Sequence, residues 1–169
     1  GGRLWVAERD NKRVLRFDNA AAKSNGDPAD GVLGEPNFTT NTGGLSASLM
    51  TRAYGVQVDA GGRLWVADRD NNRVLRFDNA ATKANGAAAD SVIGQLNLVT
   101  ATAARTQSGI EGPRGVFVDG LGKLYVSDEG NNRITIYNNA ATKANGAKAH
   151  VVFGQADFTS ALNPSPPPA

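Results

Sequence analysis

The sequence predicts an all-β fold of repeated four-stranded blades, and three observations carry that prediction. A hairpin-like unit, GGRLWVADRDNNRVLRFDN at 61–79, recurs as GGRLWVAERDNKRVLRFDN at 1–19 and as LGKLYVSDEGNNRITIYNN at 121–139, a period of 60 residues. Within each copy the apolar runs are strand-length, and no copy has the helical periodicity that a leucine-rich or helical solenoid requires. Gly-Gly, Asn-Gly and single Gly residues punctuate the runs where tight turns need positive φ.

The elements follow in order within a copy. Leu64-Trp65-Val66-Ala67 is an apolar strand, Asp68–Asn72 a polar turn and Val74-Leu75-Arg76-Phe77 the returning strand. Next comes an Ala-rich stretch, Asn79–Gly86, matched by Asn19–Gly26 and Asn139–Gly146, with room for one helical turn before its closing Asn-Gly. The brief runs Val32-Leu33-Gly34, Ser91–Gly94 and Val151–Gly154 suit an outer strand stopped by Gly. Long polar loops follow at 35–53 and 95–113, with Phe38, Leu98 and Phe158 placed to pin them to a blade face. Tyr54–Asp59 and Arg114–Asp119 alternate Val residues, the period-2 pattern of a strand with two distinct faces, and Gly turns lead into the next hairpin.

Four antiparallel strands in series are the pattern of propeller blades, with the Gly-Val-x-Val-Asp strand innermost and the short Val-rich strand outermost. Gly55 and Gly115 suit close packing of inner strands. The expected architecture is an open array of nearly three blades, about half of a six-bladed ring, forming one domain. Residues 1–53 supply blade one, without its inner strand, and its outer loop; 54–113 supply blade two and its loop; 114–169 supply blade three and a Pro-rich tail. The chain starts at Gly1 inside a repeat and ends in NPSPPPA within what corresponds to an inter-repeat loop, so it reads as a fragment of a longer repeat protein. A missing targeting signal then carries no information, and a secreted or cell-envelope, extracellular location is the expectation.

Composition narrows the function classes. Apolar residues make up 40% and charged residues 20%, a globular balance. No apolar run approaches the roughly 18 residues of a membrane span. The net charge of +2 is spread through the repeats, which gives no basic patch for nucleic acid. The absence of Cys removes disulfides, thiolate metal sites and Cys nucleophiles together.

The chain resembles the NHL-repeat family of β-propellers. The third copy supplies Pro113-Arg114-Gly115-Val116-Phe117-Val118-Asp119, Leu124-Tyr125-Val126-Ser127-Asp128 and Asn131-Asn132-Arg133-Ile134; the second supplies Tyr54–Asp59, Leu64–Asp68 and Asn71-Asn72-Arg73-Val74. The first lacks the inner strand and carries Glu8 for Asp and Lys12 for the second Asn. The Ala-rich insertion and outer loop lengthen each repeat beyond the family's usual spacing. The resemblance implies a propeller fold and leaves the role open, since related propellers include binding modules, lactonases and lyases.

Asp68, Asn71 and Arg73 recur as Asp128, Asn131 and Arg133, and as Glu8, Asn11 and Arg13. Recurrence in every copy assigns them to structure: Asp capping the turn, Asn in a left-handed conformation, Arg pairing with a carboxylate. Asp59 and Asp119 are expected to accept backbone hydrogen bonds at the inner turn. The spacing Asp68-x-Asp70-x-Asn72 opens like a calcium loop, but Arg73 and Asn79 stand where that loop needs Gly and Glu. His150 is the only His, so no His triad or three-His metal site can be assembled, and it is assigned to the surface. Trp5, Trp65 and Tyr125 share one register position and are expected between blades.

Binding candidates lie where the copies disagree. Arg52 and Arg114 flank the start of the inner strand, and Gln57 and Phe117 occupy its variable position, facing the channel by alternation. With no catalytic residue, metal or cofactor indicated, the expected function is a non-enzymatic scaffold for a protein or small-ligand partner. Part of a lactonase- or lyase-like enzyme is the alternative, and an RNA-binding face would need more than Arg52, Arg105 and Arg114. Open blade faces also predict self-association or aggregation of the isolated chain.

Overall fold

Alternation and Gly punctuation produce three antiparallel sheets, each strand paired with its sequence neighbour. The structure, a computed structural model, describes residues 2–160; the Pro-rich tail expected at the end of the third blade lies outside them. The first sheet holds β1 (Leu4–Glu8), β2 (Arg13–Phe17) and β3 (Gly31–Leu33). The second runs β4 (Ala53–Val58), β5 (Leu64–Asp68), β6 (Arg73–Phe77) and β7 (Ser91–Ile93). The third runs β8 (Pro113–Val118), β9 (Leu124–Asp128), β10 (Arg133–Tyr137) and β11 (Val151–Phe153). The first has the three outer strands and no inner one among the described residues, and the three sheets do not close into a ring.

Register sets which side chains meet. In the second sheet Leu64 opposes Phe77, Val66 opposes Leu75 and Asp68 opposes Arg73, which puts all six on one face. That face packs on Val14, Leu33 and Met50 of the preceding blade and loop. Trp65 opposes Arg76 and Ala67 opposes Val74 on the other face. There Trp65, Val74 and Ile93 meet Leu124, Val126 and Tyr137 of the third sheet. Both faces of the middle blade are covered, so every residue of β5 is buried. Each large apolar side chain so covered contributes roughly 1.5–3 kcal/mol.

Inner strands approach closely, as the Gly positions require. A Cβ on Gly55 would stand 2.6 Å from the Arg114 carbonyl oxygen and 3.1 Å from the Gly115 Cα. Both inner strands also break register, between Ala53 and Val56 and between Pro113 and Val116.

The hairpin turns differ from the sequence expectation in one residue. Arg69–Asn71 and Glu129–Asn131 form single 3₁₀ turns, and the left-handed residue is the next one: Asn72 (φ 51°), Asn132 (φ 50°) and Lys12 (φ 57°). Asn71 and Asn131 instead turn inward, and each donates its Nδ2 to the aspartate three residues earlier.

The Ala-rich stretches form 3₁₀ turns at Ala20–Ala22, Ala80–Thr82 and Ala140–Thr142. They lock neighbouring blades together. Arg16 of the first sheet donates to the Ala81 carbonyl at 2.7 Å, and Arg76 of the second donates to the Ala141 carbonyl at 2.6 Å. In return, Asn85 Oδ1 accepts the Val32 amide at 3.1 Å and Asn145 Oδ1 accepts the Val92 amide at 2.9 Å. The second and third insertions therefore cap the outer strand of the blade before each.

Candidate functional site

The best-preserved residues form the internal frame. Asp68 and Arg73 pair at 2.8 Å and Asp128 and Arg133 at 2.6 Å, with all four side chains fully buried. Asp68 does not cap its own turn, contrary to the sequence expectation. Its Oδ1 accepts the Thr51 and Arg52 amides of the incoming loop at 3.0 and 3.2 Å. Arg73 completes the junction by donating to the Ser46 and Leu49 carbonyls on the incoming loop and to Leu98 on the outgoing one. Arg133 repeats this with Thr106, Gly109 and Phe158. A buried guanidinium requires such a full set of acceptors, so this constellation holds loops and faces no ligand. In the first blade the pair Glu8–Arg13 is only part-buried, and Arg13 reaches the Phe38 carbonyl. Leu98 and Phe158 pack against the blade cores as expected, whereas Phe38 is 39% exposed.

The loop phrase before those carbonyls is a repeated Asx turn. Asn37 accepts the Thr39 and Thr40 amides, Asn97 the Val99 amide, and Asp157 the Thr159 and Ser160 amides. Those bonds, the Thr159 amide foremost, hold the Asp157 carboxyl down to about 2.

Asp59 and Asp119 accept backbone bonds at the inner turns, as expected. Asp59 Oδ1 takes the Gly61 and Arg63 amides, and Asp119 Oδ1 takes those of Leu121 and Lys123. Their second oxygens accept from Trp65 Nε1 at 2.9 Å and the Tyr125 hydroxyl at 3.1 Å. Trp65 is thereby fixed between blades, whereas Tyr125, expected there too, lies on the open face of the third blade because no further sheet covers it among the described residues. Burial pushes the Asp59 carboxyl up, but the Trp65 and Arg63 donors outweigh it and hold it below the usual carboxylate value. His150 is exposed, and its Nδ1 accepts the Asn138 amide at 3.4 Å.

The four channel candidates separate. Gln57 donates Nε2 to the Val118 carbonyl at 3.1 Å and accepts the Val118 amide at 2.6 Å, bridging adjacent inner strands. Phe117 is 55% exposed and tilts against Tyr125 with ring centroids 5.9 Å apart, on the open face of the third blade. Arg114 lies against the half-buried Tyr54, and Arg52 is linked to it through Asp70, Arg69 and Glu129. The Arg114 guanidinium lies 5.5 Å from the Tyr54 ring centre and that of Arg69 5.9 Å from it.

Alternating ion pairs link this cluster. Arg52 pairs with Asp70 at 3.3 Å, Arg69 with Asp70 at 3.1 Å and with Glu129 at 3.3 Å, and Arg114 with Glu129 at 2.6 Å. Arg9 and Asp10 of the first blade extend the row at 2.8 Å, and Asp10 with the Tyr54 hydroxyl holds the Arg9 guanidinium even more firmly protonated. Four guanidinium groups thus meet three carboxylates at the start of the inner strands, in partly exposed pairs that exchange partners readily.

Sequence reading missed Tyr54, Arg69, Asp70 and Glu129. The signal was present, since positions 9, 69 and 129 read Arg, Arg, Glu and positions 10, 70 and 130 read Asp, Asp, Gly inside an otherwise preserved turn. A second concavity of about 280 Å³ lies under the outgoing loop of the second blade. It is lined by Thr100, Thr102, Thr106 and Ser108 and presents no titratable group.

Comparison with known proteins agrees with this architecture. The NHL repeat family model matches residues 52–77 and 111–137, the inner strand and hairpin of the second and third blades. Virginiamycin B lyase from Staphylococcus aureus is structurally similar, with a TM-score of 0.50 and 13% identity over 95% of this chain and 40% of the lyase. The chain thus spans less than half the length of that enzyme, and the likeness is one of fold. No curated protein matches by sequence. The chain carries NHL repeats in its second and third blades, and its fold is that of β-propeller blades.

Proposed function

We propose that the chain is a non-enzymatic propeller scaffold that binds a carboxylate-bearing partner, such as an acidic peptide, at the Tyr54 cluster. One observation carries this reading: Arg9, Arg52, Arg69 and Arg114 form a row with three acids beside the half-buried Tyr54 ring, built at positions where the copies differ. Guanidinium forks bind carboxylates bidentately, and a ligand carboxylate can displace Glu129 from Arg114 at little cost because that pair is solvent-exposed. The rigid frame of buried Asp–Arg pairs beneath keeps the platform preorganised. An extracellular setting and a six-bladed ring accord with this role. The alternative, part of a propeller enzyme, draws only on the fold shared with the lyase, which passes no chemistry to this chain.

Titration with fluorescein-labelled hexaglutamate and a neutral hexaglutamine control, by anisotropy at low salt, tests the proposal. Arg114→Ala should weaken hexaglutamate binding at least tenfold while the Tm stays within 1 °C. Equal binding of both peptides, or loss of binding only in step with loss of Tm, would overturn it.

A further inference from the structure

The open face of the first sheet presents Leu4, Val6, Leu15 and Phe17 around a concavity of about 380 Å³. Leu4 is 51% exposed, and no other sheet covers this face among the described residues. Its register equivalents in the second blade, Leu64, Val66, Leu75 and Phe77, are fully buried against the first blade. The structure therefore displays what such a face accepts, at both of its formed junctions.

At each junction the apolar contact is accompanied by a polar latch. The donor blade offers an arginine on its third strand, Arg16 or Arg76, lying beside a small residue on its outer strand, Gly31 or Ser91. A Cβ on Gly31 would stand 2.9 Å from the Arg16 guanidinium carbon, the movable end of that side chain, and Ser91 carries its Cβ opposite Arg76 at the equivalent place. The acceptor blade offers the middle carbonyl of its 3₁₀ turn and the Asn three residues after the turn's end. Between the second and third blades Gln57 adds a clamp on the inner strand, and Ser91 Oγ bonds the Asn145 side chain at 3.1 Å.

Blade one retains the whole acceptor set in Ala21, Lys23 and Asn25. Blade three has lost the donor set. Ile136 stands at the arginine position, opposite Val151 where the small residue should be, and Phe117 replaces the clamp glutamine. Its open face is apolar, with Phe117 55%, Phe153 54% and Val151 40% exposed.

We propose that the open face of the first sheet, with the Ala21–Asn25 turn, is a docking surface for one kind of partner. That partner is an antiparallel blade carrying an arginine on its third strand opposite Gly or Ser on its outer strand. A second copy of this chain, whose open donor face among the described residues carries Ile136 and Val151, does not match it. On this reading two copies do not close a ring through this surface.

The chain can be made to supply its own partner. Ile136→Arg, Val151→Ser and Phe117→Gln together recreate the donor face on blade three. In sedimentation velocity this triple variant should associate at least tenfold more tightly than the unmodified chain, and adding Asn25→Ala should reverse the gain. Association equal to that of the unmodified chain, or insensitive to Asn25→Ala, would overturn the proposal. A second measurement covers the case in which the triple variant does not fold. In the otherwise native chain Asn145→Ala should speed hydrogen exchange of the Val92 amide, and of its neighbours in β7, at least tenfold. Unchanged protection of the neighbouring β7 amides would show that the latch does not hold blades together, and would overturn the proposal too.

Discussion

Arg73→Met isolates the frame's largest electrostatic element. Arg73 donates four hydrogen bonds: to Asp68 at 2.8 Å, Leu98 at 2.6 Å, Leu49 at 2.7 Å and Ser46 at 3.1 Å. Met preserves much of the side-chain volume but leaves Asp68 fully buried without its counter-charge, together with three carbonyls short of a donor. Breaking a buried pair from one side costs about 3–5 kcal/mol, a large part of a typical domain's 5–15 kcal/mol. Arg13→Met makes the same change in the first blade, where the side chains of Arg13 and Glu8 are 14% and 26% exposed. Water can solvate what is left there, so the cost should be about 1 kcal/mol. Urea denaturation is the suitable assay, since guanidinium salts would screen the weaker pair. A drop for Arg73→Met at least 2 kcal/mol larger than for Arg13→Met is expected, with the loss at the buried pair nearly independent of added NaCl up to 0.5 M. Equal losses would refute burial as the source of the difference.

Three further outcomes follow from positions where one copy departs from the others or where a carboxyl is held down. Asp30 and Asp90 accept the Asp18 and Asp78 amides at 2.7 Å and pair with Lys23 and Lys83, whereas His150 holds that position in the third blade. His150→Asp should therefore add a few tenths to about 1 kcal/mol in urea melts at pH 7. Tyr137 stands where the other copies have Phe17 and Phe77, and burial pushes its phenol up to about 12. A raised folded-state value means that stability is intact below about pH 10 and falls as pH climbs toward the folded value, so Tyr137→Phe should flatten the alkaline decline seen by circular dichroism. The Lys123 amide, with the Leu121 amide and the Tyr125 hydroxyl, holds the Asp119 carboxyl below its ordinary range. Stability from this turn should be complete above about pH 4 and be lost as pH falls further, and Asp119→Asn should remove that portion of the acid titration.

Strands and blade order were legible in the sequence because alternation and Gly spacing are local. The short β7 could be placed from three residues, since Gly94 at φ 89° ends it. Which of two adjacent asparagines turns left-handed was not legible. Both tolerate that conformation, and the choice falls to Asn72 because the Asn71 amide is drawn inward to Asp68. The Gln57 bridge was not legible for a different reason: its partner Val118 lies 61 residues away on the next blade. The same distance hid the purpose of the Ala-rich insertion, whose carbonyls and asparagine reach the preceding blade. Of the candidate site, Arg52 and Arg114 were found from their place beside the inner strand. Tyr54, Arg69 and Glu129 join them only once three blades are stacked.

The division of labour between preserved and variable positions can be tested in one paired measurement of Tm and hexaglutamate affinity on two variants. Arg114→Ala should lose at least tenfold in affinity at an unchanged Tm, and Asn145→Ala should lower the Tm by several degrees while binding the peptide as the unmodified chain does. If both properties fall together in both variants, the Tyr54 cluster is part of the frame and the mouth is not a binding site.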